Sequence, residues 1–331
     1  MTNTMQLVIQ SHGVKVNLEN GLFLIRHQDS LEKIPATQVG SILIAKGCSL
    51  SSNVIYYAAA HDIDIVFGSK DGKPVARIWS TKFGSIATIR KQQVHFAQSN
   101  MAMQWVAKLM INKWKHQQAV LNLLVHPHKQ FDQWVEDGIQ YIEKYIEKLN
   151  ELIKHHQTIE DATLRGWEGV CSKRYFSIVS KCIPAMYAFD KRSQHPALDL
   201  FNAMLNYAYG MLYSRIETAL VKAGIDPSIG IFHRDEYNKP VLVYDVIEQY
   251  RYWADVVVIQ LCMQELLFPD HVKEEAGGLW LTQDGKQLLI STLNDYMAEI
   301  IEMDAQVRSR QAHIDLYCAN LAQQFKQFEN Q

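Results

Sequence analysis

The sequence predicts an α+β, multidomain fold: a small N-terminal β-sandwich-like domain over residues 1–85, then a larger all-α domain over residues 86–331. Three observations predict it. Apolar residues alternate with polar ones between turn signals in the first part, they recur at intervals of three and four afterwards, and Gly and Pro thin out at the change. With 331 residues and 48% hydrophobic content, the chain can fill one large core or two smaller ones, since domains run to roughly 100–200 residues.

Taken in order, Val14, Val16 and Leu18 alternate with polar residues, Asn20-Gly21 supplies a tight turn, and Leu22 and Leu24 resume the alternation, which is a hairpin. Further strands are expected at 41–45, 63–67 and 75–79, separated by Gly47, Gly68 and the turn from Asp71 to Pro74. A short helix interrupts them, capped by Ser51 or Ser52, filled by Val54 to His61 and ended at Asp62. Beyond Ile86 the spacing predicts helices near 88–124, 129–157, 161–190, 197–223 and 241–268, and over 285–328 in one or two pieces. Pro196 suits a first turn and Gly224 the position after a last turn. The stretch from Phe268 to Gly278, with mixed charges and two glycines, reads as an exposed loop.

No run approaches the roughly 18 uninterrupted apolar residues of a membrane span, and Met1 to Gln10 lacks the layout of a signal peptide, so a cytoplasmic protein with no membrane partner is expected. Cys48, Cys171, Cys182, Cys262 and Cys318 are odd in number and never spaced C-x-x-C, which indicates neither a disulfide framework nor a thiolate zinc site. The formal net charge of −2 hides an asymmetry: from Gly72 to Phe131 there are nine Lys or Arg and no Asp or Glu. Such a segment suits a polyanion, or else is a solvated face balanced by acids from elsewhere.

Three places carry ionisable groups in unusual surroundings. In Gly166-Trp167-Glu168-Gly169 a carboxylate sits between glycines inside a helical stretch, where each Gly costs roughly 1 kcal/mol relative to Ala. The glycines imply close approach by another backbone or a ligand, and Arg165, Glu168, Ser172 and Tyr175 would share a polar stripe; the plainer alternative is a capped helix start with an exposed Glu. His233 follows an apolar approach and precedes the polar loop 234–239, and a lone His is more often structural or solvated. Asp245 and Glu248, three apart on a helix that Pro240 helps to start, project from one face with Arg251 a turn later, or form a solvated acidic face answered by that Arg. Glu, His and Glu from three segments could hold one Mg²⁺ or Mn²⁺. With 35 acids and 13 histidines in the chain, spacing alone does not select this trio.

The chain resembles the universal CRISPR-associated spacer integrase over nearly its whole length. The strongest match runs from Gly230 to Arg251: a glycine, an apolar pair, His233, a variable loop, an apolar run, then Tyr244, Asp245, Glu248 and Arg251. Trp167, Glu168 and Gly169 with Tyr175 and Phe176 match the family's Glu-Gly helix, and Asp199, Asn202, Ala203, Leu205, Asn206 and Tyr209 match the helix between. Gly47, Ser49, Leu50 and Ser51, and Ile63, Ile65 and Phe67 before Asp71 and Gly72, add weaker matches; loop 234–239 is longer and more polar than the family's minimum.

The resemblance implies an N-terminal β-rich domain that pairs two subunits and a helical domain bearing a metal site. Carried over, Glu168, His233 and Glu248 are the catalytic metal ligands for Mg²⁺ or Mn²⁺, with Asp245 an auxiliary acid and Asn202 a supporting or DNA-positioning group. The implied activity is a metal-dependent DNA endonuclease and integrase that inserts foreign DNA fragments as spacers into a CRISPR array through 3′-hydroxyl attack. Its implied partners are DNA, a second copy of the chain and the small companion subunit, the second universal protein of such systems. Candidate phosphate contacts are Arg165, Lys173, Arg174 and Arg251 near the metal, and Arg77, Lys82, Arg90 and Lys91 along a longer path. A branched-DNA resolvase or repair nuclease, or a catalytically silent DNA-binding assembly subunit, are the alternatives.

Overall fold

The structure, a computed structural model, describes residues 5–68, 74–78, 86–124, 132–233 and 239–328. After β1 (Met5–Ile9), the expected hairpin forms from β2 (Lys15–Glu19) and β3 (Leu22–His27), with Glu19 paired to Leu22. Asn20 and Gly21 take φ of 50° and 74°, the left-handed pair that a two-residue turn needs to match strand twist. β4 (Ser30–Pro35) and β6 (Ser49–Leu50) complete a four-stranded sheet in the order β4-β3-β2-β6. The second sheet runs β1-β5-β7-β8, with β5 (Val39–Ala45) and β7 (Asp64–Gly68) parallel and β8 (Pro74–Ile78) antiparallel to β7. Val16, Phe23, Ile42, Ile44 and Ile65 from both sheets, with Val54 from helix α1 (Ser52–Ala60), close one small core.

A second, larger core belongs to the helices and shares no residue with the first. Where one helix is expected over 88–124 there are two, α2 (Ile86–Ala97) and α3 (Asn100–Leu123). Ser99 is extended there and its hydroxyl donates to the Phe96 carbonyl at 2.7 Å, a local bond that competes with the helix ladder. α4 (Asp132–Lys154) follows, and α5 (Asp161–Cys182) stops eight residues short of expectation because Ile183, forced extended, precedes Pro184. α6 (Leu200–Lys222) starts at the Asp199 cap, whose Oδ1 accepts from the Asn202 amide at 2.7 Å; Pro196 lies before the cap, not in a first turn. Buried on nearly every face, α6 is the axis of the body.

The stretch expected to be one helix over 241–268 is α7 (Val241–Val246), a 3₁₀ turn Ile247–Gln249, and α8 (Arg251–Met263). The expected loop at 268–278 instead enters a hairpin of β9 (Val272–Glu275) and β10 (Gly278–Leu281), turned by Ala276 and Gly277 at positive φ. A second hairpin, β11 (Ile300–Met303) and β12 (Gln306–Ser309), separates α9 (Gln283–Ala298) from α10 (Arg310–Lys326). The larger body is therefore mostly helical, with two hairpins added. Among the described residues no helix is long and apolar enough to cross a membrane.

The β-rich part meets the helical body through polar contacts. Gln10 donates to the Tyr207 hydroxyl, Asn294 Nδ2 donates to the Gln6 carbonyl at 3.4 Å, and Lys222 Nζ to the Gly40 carbonyl at 3.3 Å. Arg77 on β8 is the main tie: its guanidinium donates to the Glu217 carbonyl at 3.2 Å and pairs with that residue's carboxylate at 3.5 Å. With its side chain only 5% exposed, Arg77 is a structural cation and not the phosphate contact its place in the basic segment suggested. Burial pushes the Glu217 carboxyl up and Arg77 pulls it back, so Arg77→Ala leaves a half-compensated acid. That change is expected to cost about 2 kcal/mol in urea unfolding and to leave the salt dependence of DNA binding unaltered. A shallower salt slope in the variant would return Arg77 to the DNA path.

Candidate active site

Three side chains meet at the base of a cleft of about 740 Å³ in the helical body. Lys113 reaches it from α3, Glu168 from α5 and Glu248 from the 3₁₀ turn between α7 and α8. The Lys113 ammonium lies 2.5 Å from Glu168 Oε1 and 2.6 Å from Glu248 Oε2, so one cation bridges both carboxylates. Glu168 also accepts from the Ser172 hydroxyl at 2.8 Å, one turn along the expected polar stripe. Glu248 Oε1 accepts from Arg251 Nε at 2.9 Å, while Oε2 faces the ammonium without hydrogen-bond alignment.

Electrostatics follow from this geometry. Burial alone would raise the Glu248 carboxyl, but Arg251 and then Lys113 hold it down at about 2. Glu168, also opposed by burial, is held below the usual carboxylate range chiefly by Lys113. Burial disfavours the ammonium of Lys113, yet Glu248 and Glu168 outweigh it and keep its pKa raised. All three are charged at neutral pH, and they compensate one another.

His233 lines the same cleft and is oriented by Asp245. That carboxylate, 1% exposed, accepts from the backbone amides of Ile231 (2.8 Å), Phe232 (3.1 Å) and His233 (2.9 Å) and faces the His233 ring Nδ1 at 2.6 Å. An ionised carboxylate only accepts, so Nδ1 carries the proton and Nε2 is the nitrogen that can bind a ligand. Asp245 spends its oxygens on the loop and the ring. Gly230 allows the turn to close: a Cβ there would sit 2.2 Å from the His233 carbonyl oxygen.

The donor set of Glu168, His233 and Glu248, with Asp245 fixing the imidazole, fits a hard divalent cation with one nitrogen ligand. The half-satisfied Glu248 Oε2 is a ready ligand atom. As arranged, however, the carboxylates converge on Lys113, and no group of three His, Cys, Asp or Glu among the described residues is set around a common ion position.

Around the base, Asp255 lines the cleft and accepts from Tyr209 at 2.6 Å and Tyr175 at 2.9 Å. Two guanidiniums stack on Tyr209, Arg251 at 4.8 Å and Arg192 at 5.7 Å from the ring centroid. Arg251 also donates to Tyr213 at 2.9 Å, which makes it part of the floor. Arg165 pairs with Asp161 at 2.9 Å, stacks on Phe232 and lies on the rim, where Lys173 is exposed. Arg174 is half-buried and does not line the cleft. Arg90 and Lys91 are exposed on α2, and Lys82 lies outside the described residues. Asn202 is wholly buried and fastens the segment 191–193: its Nδ2 donates to the Lys191 carbonyl at 3.0 Å and its Oδ1 accepts from the Ser193 amide at 3.2 Å. It supports the cleft wall without lining it.

Among the described residues Gly166 and Gly169 have no neighbour within 4 Å of an added Cβ, so the close backbone approach inferred from sequence is not seen there and that helix face stands open. Lys113, Arg192 and Asp255 are site residues that sequence reasoning missed. The available signal was Lys113 on the buried stripe Val106, Met110, Lys113, Gln117, a charge where apolar residues recur. A larger cavity, about 1360 Å³ between the β-rich part and the helices, opens on the same His233 and Arg251.

This fold, a small β-sandwich on a mostly helical body, is that of Cas1-like proteins. The chain superposes on a Cas1 protein from Thermotoga maritima with a TM-score of 0.78 over 99% of this chain and 100% of that one at 15% identity. A casposase bound to integration product gives 0.81 over 99% and 92% at 19% identity. The model of the family described as CRISPR associated protein Cas1 matches residues 7–295, and the chain belongs to that family. Among curated relatives, a CRISPR-associated endonuclease Cas1 of Archaeoglobus fulgidus is 28% identical over 92% of this chain and 91% of its own. Another, of Francisella tularensis subsp. novicida, is 29% identical over 77% and 78%.

Proposed function

We propose that the protein is a divalent-metal-dependent DNA endonuclease and integrase that joins foreign DNA fragments to a CRISPR array by attack of a 3′-hydroxyl on a phosphodiester. The observation that carries this reading is the meeting of Glu168, Glu248 and His233 in one cleft rimmed by cations. Relatives named as CRISPR-associated endonucleases and a fold neighbour bound to integration product support it. Glu168, His233 and Glu248 would hold Mg²⁺ or Mn²⁺, which when bound supplies Lewis-acid stabilisation of the phosphate oxygens and a more nucleophilic hydroxyl or water.

The chain's own residues do the rest. Asp245 fixes the ring through Nδ1, and Arg251 fixes Glu248. Arg165, Lys173 and Lys191 on the rim attract and seat the phosphodiester, and the open face at Gly166 and Gly169 gives its backbone room. The proposed assembly is a homodimer through the β-rich part, working in the cytoplasm with the small companion subunit. A fold neighbour is a Cas6-RT-Cas1–Cas2 complex, of whose chain this one spans 35%.

The test is strand transfer with prespacer DNA, repeat DNA and the companion, with Mg²⁺, Mn²⁺ or EDTA. Joined product that EDTA removes is expected; no product with either metal would sink the proposal. Arg90 and Lys91 form the outer DNA path, so their double Ala variant should lower the log–log salt slope of duplex binding by about 2. An unchanged slope would take α2 off that path.

A further inference from the structure

We infer that Lys113 is an internal counter-ion that closes the metal position in the absence of DNA and gives it up when a phosphate enters the cleft, coupling cation binding to substrate binding. The inference rests on the metal reading proposed above and goes beyond it.

Lys113 lies within 2.6 Å of a carboxylate oxygen from each of two proposed ligands, with its side chain 5% exposed. A dication bound to the same two oxygens would face this ammonium at close range where water screens little, so the two cations exclude each other. The carboxylates do not depend on Lys113 for their placement. Arg251 holds Glu248 Oε1 at 2.9 Å, and Ser172 donates to Glu168 at 2.8 Å. Withdrawal of the ammonium therefore leaves two oriented oxygens behind.

Lys113 also has somewhere to go. It lines the cleft with Lys173 and Lys191, so a phosphodiester drawn to that rim brings anionic oxygens within reach of a flexible lysine stem. The ammonium exchanges its two carboxylate partners for phosphate oxygens, and the vacated place takes the dication. Reciprocity then requires that DNA tighten the metal and the metal tighten DNA.

The experiment is Mn²⁺ titration of the full-length protein, read by the electron paramagnetic resonance of unbound Mn²⁺, with and without a duplex oligonucleotide. Glu168→Gln marks which binding belongs to the site. Without DNA, Lys113→Met should bind Mn²⁺ about tenfold more tightly than wild type, or better, because a repelling charge is gone. Lys113→Arg, which keeps the charge, should stay within about threefold of wild type. DNA should tighten Mn²⁺ binding by about fivefold or more in wild type and by less than about twofold in Lys113→Met. Equal or weaker Mn²⁺ binding by Lys113→Met, or equal tightening by DNA in both proteins, overturns the inference. Lys113→Met leaves Glu168 without its cation and Glu248 with Arg251 alone, which lowers stability, so its melting temperature is followed as well. Mn²⁺ should raise it more than it raises that of wild type, and a smaller rise overturns the inference. If no protein shows Mn²⁺ binding that Glu168→Gln removes, the metal reading itself falls, and this inference with it.

Discussion

Glutamine in place of Glu168 is expected to lower DNA cleavage and strand joining by on the order of a thousandfold, with fold and DNA binding retained. The amide keeps the shape and loses the charge. Since Lys113 still pairs with Glu248 at 2.6 Å, the ammonium is not stranded, and stability should change little. Glu248→Gln should be as inactive but less stable, by about 3 kcal/mol, because Lys113 and Arg251 both lose an anionic partner in a buried position. Gel-resolved cleavage and joining, paired with urea unfolding, read both quantities. A purified Glu168→Gln protein with a tenth or so of wild-type activity would take that carboxylate out of the chemistry.

Asp245→Ala is expected to reduce activity by about a hundredfold although Asp245 is no proposed ligand. Its loss strands three backbone amides, of Ile231, Phe232 and His233, and releases the His233 ring. Each buried donor left unmet costs about 1–3 kcal/mol, part of which loop relaxation recovers. The variant should therefore melt lower, and the Mn²⁺ or Mg²⁺ concentration for half-maximal activity should rise. Activity falling with no change in that concentration would mean that Asp245 acts on the reaction and not on His233 placement.

Local chemistry made parts of this molecule legible from the chain alone. The β2–β3 hairpin is written in Asn20-Gly21, and the turn survives folding; the alternation holds in β2, but in β3 Phe23, Leu24 and Ile25 are all buried and it is Phe23 and Ile25, not Leu22 and Leu24, that join Val16 in the core. The division of α2 from α3 is not legible, since Ile89, Phe96, Met103 and Met110, each seven residues from the last, keep nearly one helical phase across Ser99. The two C-terminal hairpins have four-residue strands, β9, β11 and β12 largely exposed and β10 half-buried to buried, too short for a period-two signal. At the site, residue types and the spacing of His233, Asp245 and Glu248 could be read, but the division of labour could not. Whether an acid faces a buried ammonium or holds a loop depends on tertiary partners, as Asp245 and Glu248 show three positions apart. Arg77 makes the same point: the sequence shows a cation in a basic segment, and its partner Glu217 lies 140 residues away.

The seam between the two cores is built from amides, hydroxyls and the Arg77–Glu217 pair, with no buried apolar side chain common to both sides among the described residues. Such a joint gains little from solvent exclusion and its ion pair is shielded from salt, so a denaturant that solvates peptide groups reaches it before either oily interior. The two bodies should part at urea concentrations that leave both cores folded. Amide hydrogen exchange along β8 and α6, measured across that range, would show the joint opening first, and simultaneous exchange of joint and cores would refute it.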